Sequence, residues 1–243
     1  LKRLEIGSTL GIGELLSICA VLENTAKVKA YGRSDREDQE ADSLEPMFQL
    51  LEPLTPLSTE INRCILSEEE ISDDASPGLK QVRRNMKNTN DRIHGQLNSL
   101  LNGSARSYLQ DGVITMRNGR YCLPVKAEYK NQVPGMIHDQ SSTGSTLFIE
   151  PMSVVKLNND LRQLEVQEQK EIEIVLSNLS EQAAQYLDAL RDDLDILIQL
   201  DFIFARASLA LDQNASKPDF NTDGTINLKK ARHPLIHKKQ VVP

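Results

Sequence analysis

The segment VITMRNGRYCLPVKAEYKNQVPGMIHDQSSTGSTLFIEPM, residues 113–152, decides the fold of this chain. Its strand-like runs are short and are punctuated by Gly and Pro, whereas long helical patterns precede and follow it. Asn118 and Gly119 separate the runs 113–117 and 120–126, and Asn-Gly between two such runs is a strong signal for a two-residue hairpin turn. The first half of the segment therefore predicts an antiparallel hairpin.

The second half of the segment contains another pair of strand-like runs. Residues 135–140 and 146–149 flank the Ser-, Thr- and Gly-rich loop 141–145. Pro124 lies within a run of the first hairpin, and because Pro lacks an N–H we expect it at an edge strand or a bulge. The whole segment thus predicts four short antiparallel strands.

A helix is expected immediately before this β-module. Ser76 is a favoured N-cap residue and Pro77 a favoured first helical residue. Apolar residues at helical spacing follow, and Asp111 and Gly112 form a stop signal. We expect the helix to run from Pro77 to about Gln110.

After the module, one helical pattern runs from 153 to about 214 with no Gly or Pro. Its apolar residues recur at intervals of eleven, which indicates a nearly straight pairing and not a left-handed coiled coil. We expect the first half of this helix to pack antiparallel to the helix beginning at Pro77. The second half, 194–211, is expected to dock on residues 1–70.

The fold class predicted from these patterns is mostly α with a small antiparallel β-module. Within the first part of the chain, 32–42 is highly charged and predicts a solvated linker, and 225–228 predicts a short strand near the end. The predicted division is a helical core region (1–75), a first long helix (76–112), the β-module (113–152), a long second helix returning to the core (153–214) and a strand or linker (215–243).

Composition limits the classes of function. The net charge is -7, so any attraction for phosphate must come from a local patch. The three cysteines are widely spaced, which indicates a reducing, cytoplasmic setting without a disulfide framework or zinc site. We find no signal peptide and no apolar run long enough for a membrane span, so no membrane partner is expected.

The sequence contains no recognisable catalytic motif. A phosphate-binding loop is absent, and His233 and His237 have a metal-capable spacing but are separated by Pro234. His138 and Asp139 are adjacent on a predicted strand and should point to opposite faces, so they are not expected to form a relay. We expect Asp139 to cap the following loop. No catalytic or metal residues are predicted.

The β-module is locally basic. Arg117, Arg120, Lys126 and Lys130 stand against Glu128 alone over residues 113–138. These cations could attract phosphate, or they could protect strand edges from aggregation. The charge pattern by itself supports both interpretations equally.

Long motifs in and around the module resemble one family. They are RNGRY and LPVK (117–126), HDQSS through LFIEP (138–151), LDFIFA (200–205) and ARHPL (231–235). Together they resemble the MutS ATPases in their type-two bacterial branch, the endonuclease paralogue, over essentially all 243 residues. The resemblance implies that 1–75 belongs to a core, that the two long helices form a lever, and that 113–152 is a clamp.

The same resemblance implies cofactors and partners. In that family an ATPase domain, with ATP and magnesium, and a further nuclease domain follow, so this chain is expected to be a fragment without either and without a cofactor of its own. Its start without Met and its Val-Val-Pro end agree with that expectation. The implied partners are double-stranded or branched DNA, the ribosome with its rRNA, and a second copy in a homodimer.

The function predicted for the fragment is that of the non-enzymatic lever and clamp of a dimeric ATPase. It would bind branched DNA, in suppression of homologous recombination, or collided ribosomes, in ribosome rescue. A non-catalytic stalk for protein interaction or self-association is the alternative, and a hydrolase using His138 and Ser141 is the third hypothesis. The expected contact residues are Arg117, Arg120, Lys126, Lys130, His138, Ser141, Ser142 and Thr143.

Overall fold

The structure, a computed structural model, describes residues 1–33, 43–228, 231, 233 and 236. The helices in these residues are α1 (Lys2–Glu5), α2 (Ile12–Gly32), α3 (Glu45–Leu50), α4 (Thr55–Cys64), α5 (Pro77–Asn102), α6 (Met152–Gln185) and α7 (Leu187–Gln213). The strands are β1 (Ile65–Ser67), β2 (Glu70–Ile71), β3 (Thr115–Arg117), β4 (Arg120–Lys126), β5 (Gly135–Gln140) and β6 (Thr146–Pro151). Short 3-10 turns occupy Asp73–Ala75, Ser104–Tyr108 and Ala127–Tyr129.

The chain divides into two compact units. The first comprises Leu1–Glu23 and Leu54–Leu187, and the second comprises Asn24–Pro53 and Asp188–Pro243. The predicted fold class is confirmed, since helices predominate and the strands form small antiparallel sheets. The functional division into five segments stays a prediction. The β1–β2 hairpin, which pairs Ile65 with Ile71, was not predicted.

Helix α5 begins where the sequence predicts. The Ser76 hydroxyl accepts a hydrogen bond from the Leu79 N–H at 3.0 Å, which satisfies one of the free N–H groups of the first turn. Near this end Arg83 forms an ion pair with Glu168 of α6, with 2.7 Å between Nε and Oε1. At its other end Leu97 shares a buried cluster with Val154, at the start of α6. The predicted antiparallel pairing of the two helices is therefore confirmed.

The predicted end of α5 near Gln110 is wrong. The helix stops at Asn102, and Gly103 leads into the 3-10 turn Ser104–Tyr108. Leu109 then forms a β-bridge with Val125, and the Gln110 N–H donates to the Pro124 carbonyl at 2.8 Å. Backbone pairing with β4 thus replaces the last two helical turns that the sequence predicts.

The second helical pattern is interrupted once. Tyr186, with φ -109° and ψ 21°, lies outside helical geometry and separates α6 from α7. Its N–H donates to the Ala183 carbonyl at 3.1 Å, a tightened bond typical of a helix end. The prediction of one unbroken helix is therefore wrong at this residue. Neither Gly nor Pro lies near the break, so no local sequence signal indicates it.

The four-stranded sheet has the order β3-β4-β6-β5 and is antiparallel throughout. Both predicted hairpins are confirmed. Asn118 and Gly119 have positive φ angles of 50° and 72°, as a two-residue turn with a primed geometry requires. The predicted edge or bulge position for Pro124 is wrong, because β4 lies inside the sheet and Pro124 pairs with Phe148 in regular register. Pro124 is tolerated there because β3 pairs only with Arg120–Cys122 and does not reach Pro124. The N–H that Pro124 lacks is therefore not needed for a bond to β3.

One face of the sheet packs against both long helices of the first unit. Leu123, Val125 and Ile149 of the sheet are buried together with Ile93 of α5 and Val154 of α6. The helix pair and the sheet therefore share one core, which fixes the β-module to the ends of α5 and α6 that meet there.

The second unit has its own small core. Phe48 and Leu51 are buried against Leu200 of α7, and the predicted docking of the second half of the long helix is confirmed at this point. Phe204 of α7 also contacts the Tyr31 ring of α2, with 6.1 Å between ring centres, whereas Phe202 and Leu211 are 61% and 82% exposed.

The predicted strand 225–228 is wrong. These residues have no strand partner in the part of the chain that the structure describes, and Ile226 is 85% exposed. His237 and most of the ARHPL motif lie outside the described residues. No helix of the described residues is long and apolar enough to span a membrane.

Candidate functional site

The two edge strands of the four-stranded sheet are joined across its other face. Arg117 of β3 pairs with Asp139 of β5, with 3.1 Å between Nε and Oδ2. The Asn118 amide next to it donates to the His138 carbonyl oxygen at 3.2 Å. The hairpin tip is therefore tied to β5, although β3 and β5 are not neighbours in the sheet.

A buried carboxylate lies beneath these ties. Glu150 of β6 is fully buried, and its Oε1 accepts hydrogen bonds from Arg120 Nη1 and Asn158 Nδ2, both at 2.8 Å. Its Oε2 lies 2.6 Å from His138 Nε2. Burying an unpaired charge is costly, so a carboxylate in this position requires such partners. Glu150 thus binds β4, β5 and α6 to one another.

Asn158 of α6 extends this network to the backbone. Its amide oxygen accepts from the Tyr121 N–H and its amide nitrogen donates to the Tyr121 carbonyl, both at 3.3 Å. Arg120 makes a further bond to Asn159 Oδ1 at 2.6 Å. Helix α6 is therefore fixed to β4 by polar contacts as well as by apolar packing.

Glu150 and Asn158 were not among the predicted site residues. The only available signal was a carboxylate within the apolar run LFIEP, where a buried charge demands a partner.

Cys122, adjacent to this network, is not a reactive group. Its side chain is fully buried, and burial, together with the nearby negative charge of Glu150, raises the pKa of its thiol to about 11. The thiolate form required of a nucleophile is therefore scarce at neutral pH. Among the described residues no cluster of His, Cys, Asp and Glu could hold a metal ion.

The predicted contact cations differ in what they already bind. Arg120 is committed to Glu150 and Asn159. Arg117, besides its ion pair, lies over the Phe148 ring with its guanidinium carbon 4.0 Å from the ring centre. Lys126 donates to the Ser107 carbonyl at 3.4 Å and lies 6.0 Å from the Tyr129 ring centre. Lys130 is exposed.

The loop 141–145 is organised by its own hydroxyl groups. Ser141 Oγ accepts from the Thr146 N–H at 3.1 Å, and Thr143 bonds Ser145 at 2.8 Å. The expectation that Asp139 caps this loop is wrong, because Asp139 instead pairs with Arg117 and accepts from the Gln140 N–H. Ser142 and Thr143 are exposed.

The hydrolase hypothesis gains no support from this geometry. Ser141 Oγ is bonded to the Thr146 N–H, and the His138 ring is bonded to Glu150. The two groups are thus each held by a different structural partner.

The net positive charge of the β-module is smaller than the charge predicted from residues 113–138 alone. Over 113–152 the four cations face three carboxylates, because Asp139 and Glu150 lie just beyond the window 113–138. These two carboxylates pair with Arg117 and Arg120. Lys126 and Lys130 keep their charge without a carboxylate partner among the described residues.

The described residues thus contain a pair of antiparallel helices that shares its core with a four-stranded antiparallel β-module. Comparison with known proteins gives the family. The chain is 59% identical over its whole length to Endonuclease MutS2 of Agathobacter rectalis and 57% identical to Endonuclease MutS2 of Lachnoclostridium phytofermentans. It is 46% identical to Endonuclease MutS2 of Caldanaerobacter subterraneus.

The chain belongs to the MutS2 family, and the family resemblance seen in its motifs is confirmed. It spans about 31% of the length of the first two of these curated relatives. No family model matches the chain.

Proposed function

We propose that this chain is the lever and clamp region of a dimeric cytoplasmic ATPase of the MutS2 family. The β-module at 113–152 contacts nucleic acid, as branched DNA or within a collided ribosome, and α5 and α6 relay the nucleotide state. ATP and magnesium are bound by another part of the protein, and the described residues do no chemistry. The name of the relatives, an endonuclease, agrees with a nucleic-acid partner.

The observation that carries the proposal is the core shared by the module and both helices. Ile93 of α5, Leu123 of β4 and Val154 of α6 are all completely buried in one cluster. A close-packed cluster of this kind transmits a displacement of either helix to the sheet. The Glu150 and Asn158 bonds add a directional link between α6 and the strands.

The proposed contact surface is formed by groups that retain free hydrogen-bonding capacity. Lys126, Lys130 and the exposed loop residues Ser142 and Thr143 are available to phosphate oxygens. Arg117 joins them when it leaves Asp139. Arg120 and His138 support the surface through Glu150.

Charge reversal tests this proposal. In the full-length protein, Lys126→Glu with Lys130→Glu should weaken binding to branched DNA and to stalled ribosomes, measured side by side at physiological salt. Two phosphate contacts contribute a salt slope of about 2, so the affinity loss should shrink as salt rises. Lys2→Glu with Lys27→Glu, two exposed residues outside the module, is the matched control.

The two ligands are separated by the same measurement. Loss of affinity for only one of them identifies the native partner. Unchanged affinity and unchanged salt slope for both would remove the clamp surface from the proposal.

A second candidate, a non-catalytic stalk for protein interaction, is favoured by one observation. Met116, Met136 and Ile137 of the module are each more than half exposed, at 51%, 51% and 55%. Exposed apolar side chains on small strands are typical of protein-binding surfaces. Under this candidate Met136→Ser with Ile137→Ser reduces self-association in sedimentation, and Lys126→Glu with Lys130→Glu has no effect on ligand binding.

A further inference from the structure

Helix α5 is strongly basic within an acidic chain. Its residues 77–102 contain five cations against one carboxylate, Asp91, whereas the whole chain has a net charge of -7. This exceeds the charge of the β-module, and nothing in the proposed clamp uses it. Helix α5 is therefore the most positive element in the described part of the chain.

Two of the five cations have structural roles. Lys80 pairs with Asp74 at 2.6 Å, and Arg83 pairs with Asp73 and Glu168 at 2.6 and 2.7 Å. These ion pairs connect the start of α5 to the preceding 3-10 turn and to α6, so both cations already have carboxylate partners.

The other three cations, Arg84, Lys87 and Arg92, are exposed and have no carboxylate partner among the described residues. Residues at these spacings lie on one side of a helix, opposite the buried Ile93 and Leu97. They span about 12 Å along the helix axis at the usual rise per residue. Together they form a stripe of three cations, here called the α5 stripe, and the exposed Asp91 lies among them on the same side of the helix.

A polar cleft lies beside the α5 stripe, between α5 and α6. Its volume is about 430 Å³, and Arg92 forms part of its wall. Thr89, which also lines the cleft, is 8% exposed.

The wall of the cleft offers both donors and acceptors. Asn88 on α5 and Gln163 and Gln167 on α6 contribute amide groups, and Asp160 contributes a carboxylate. Asp160 has no cation partner among the described residues, so a ligand with acceptors alone would be repelled by it. The backbone of B-form DNA offers only acceptors. The ribose 2′-hydroxyl of RNA both donates and accepts, and it is displayed in the wide minor groove of an RNA duplex.

We propose that the α5 stripe and the adjoining cleft form a binding site for double-stranded RNA. Phosphates contact Arg84, Lys87 and Arg92, and ribose hydroxyls enter the cleft and bond Asp160, Gln163 and Thr89. This site rests on the proposed function because it requires a nucleic-acid partner. Its residues lie on α5 and α6 and are separate from the contact residues proposed in the β-module.

The test uses the full-length protein and two probes of the same sequence, an RNA duplex and a DNA duplex of about 20 base pairs, long enough for two successive minor grooves. The charge variant is Arg84→Glu with Lys87→Glu and Arg92→Glu. Its matched control is Lys2→Glu with Lys27→Glu and Lys217→Glu, which changes the net charge equally at exposed positions. Circular dichroism verifies the helix content of each variant, and neutral Gln substitutions replace Glu in any variant that unfolds.

The wild-type protein should bind the RNA duplex about tenfold more tightly than the DNA duplex. The charge variant should lose about tenfold or more in RNA affinity, and its salt slope should fall by about 2 to 3, whereas the control should lose less than about twofold. The cleft variant Asp160→Ala with Gln163→Ala should weaken RNA binding and leave DNA binding unchanged.

Three results would overturn the site: equal affinity of the wild-type protein for both duplexes, wild-type RNA affinity in the charge variant, or equal loss for both duplexes in the cleft variant. Lys126→Glu with Lys130→Glu is measured in parallel. If only this clamp variant loses binding, the result supports the clamp surface and contradicts the α5 site. If only the α5 variants lose binding, the result supports the α5 site and contradicts the clamp surface.

Discussion

Arg117 of β3 and Asp139 of β5 form an ion pair, 3.1 Å from Nε to Oδ2, that crosses one face of the four-stranded sheet. Arg117, a half-buried cation of the proposed clamp surface, is thereby already paired with a carboxylate of the same sheet. A phosphate that binds Arg117 has to displace Asp139. Under the proposed function, this intramolecular competition would weaken the binding of every nucleic-acid ligand alike.

Replacing Asp139 with Asn should strengthen nucleic-acid binding. The variant keeps the side-chain shape but removes the competing charge from Arg117. An exposed ion pair is worth about 0.2–1 kcal/mol, so the affinity should rise by up to about fivefold at low salt, and less at high salt. Titration of the full-length protein with branched DNA at two salt concentrations measures the effect.

Asp111→Asn is the control for this prediction, because Asp111 is exposed near the module and lies outside the ion pair. It removes the same charge without freeing Arg117. Equal gains in both variants would show that only net charge matters, and a loss of affinity in Asp139→Asn would show that the ion pair maintains the surface.

Replacing Glu150 with Ala should destabilise the β-module strongly. Three donors, from Arg120, His138 and Asn158, lose their shared acceptor in a buried site. Breaking a buried charge pair by removing one partner costs about 3–5 kcal/mol. Because the chain has two units, hydrogen exchange of the β4 and β6 amides reports the local effect more directly than global unfolding.

Glu165→Ala provides the comparison, since Glu165 pairs with Arg162 on the exposed surface of α6 at 2.8 Å. It should change the free energy of unfolding by less than about 0.5 kcal/mol. If Glu150→Ala leaves exchange in β4 and β6 as slow as in the wild type, the Glu150 network does not hold the sheet.

Local signals in the sequence predict much of the fold. Ser76-Pro77 predicts the start of α5, and Asn118-Gly119 predicts the β3–β4 turn, because each signal acts through the backbone of its own residues. The end of α5 was not predictable in this way. It depends on Leu109 pairing with Val125, a contact that no local pattern specifies.

The candidate site was predicted less well than the fold. The sequence identifies Arg117 and Arg120 as cations but not their partners Asp139 and Glu150, because those contacts depend on the order of strands in the sheet. Counting Lys and Arg residues over a short stretch of sequence therefore overestimates the positive charge that is available to a ligand. Lys126 and Lys130 remain predicted contact residues.

Replacing Gly135 with Ala should destabilise the sheet at the start of β5. A Cβ at this position would lie 2.2 Å from the Glu150 carbonyl oxygen and 2.6 Å from Ile149 Cγ2, so the paired strands would have to separate. Overpacking of this kind costs about 1–3 kcal/mol. Urea unfolding followed by circular dichroism measures the loss.

Gly95→Ala is a matched control for which we expect the opposite change in the free energy of unfolding. No atom lies within 4 Å of a Cβ built on Gly95, which is in the middle of α5. Ala is favoured over Gly inside a helix by about 0.5–1 kcal/mol, so this variant should be more stable than the wild type. Destabilisation by both substitutions would indicate a general sensitivity to Ala and not the close approach at Gly135.

Replacing Asp193 with Asn should change how stability depends on pH. Asp193 is buried in the second unit, where its Oδ1 accepts from the Glu52 N–H at 2.7 Å and its Oδ2 has no partner among the described residues. Burial raises the pKa of its carboxyl above the ordinary value of 3.8, and the negative charge of Glu52 acts in the same direction. The Glu52 N–H bond and the charge of Lys29 oppose this shift only in part.

The sign of the effect follows from the raised pKa. Between 3.8 and the higher pKa in the folded state, the folded protein holds a proton that the unfolded chain has released. The stabilising contribution of Asp193 is therefore fully present below pH 3.8 and is lost as the pH rises through the folded-state pKa. Asn keeps the hydrogen bond to Glu52 and does not titrate, so Asp193→Asn should become more stable relative to the wild type as the pH rises. Urea unfolding of both proteins from acid to neutral pH measures this difference. If the free energies of unfolding of the two proteins change equally with pH, ionisation of Asp193 does not destabilise the folded state.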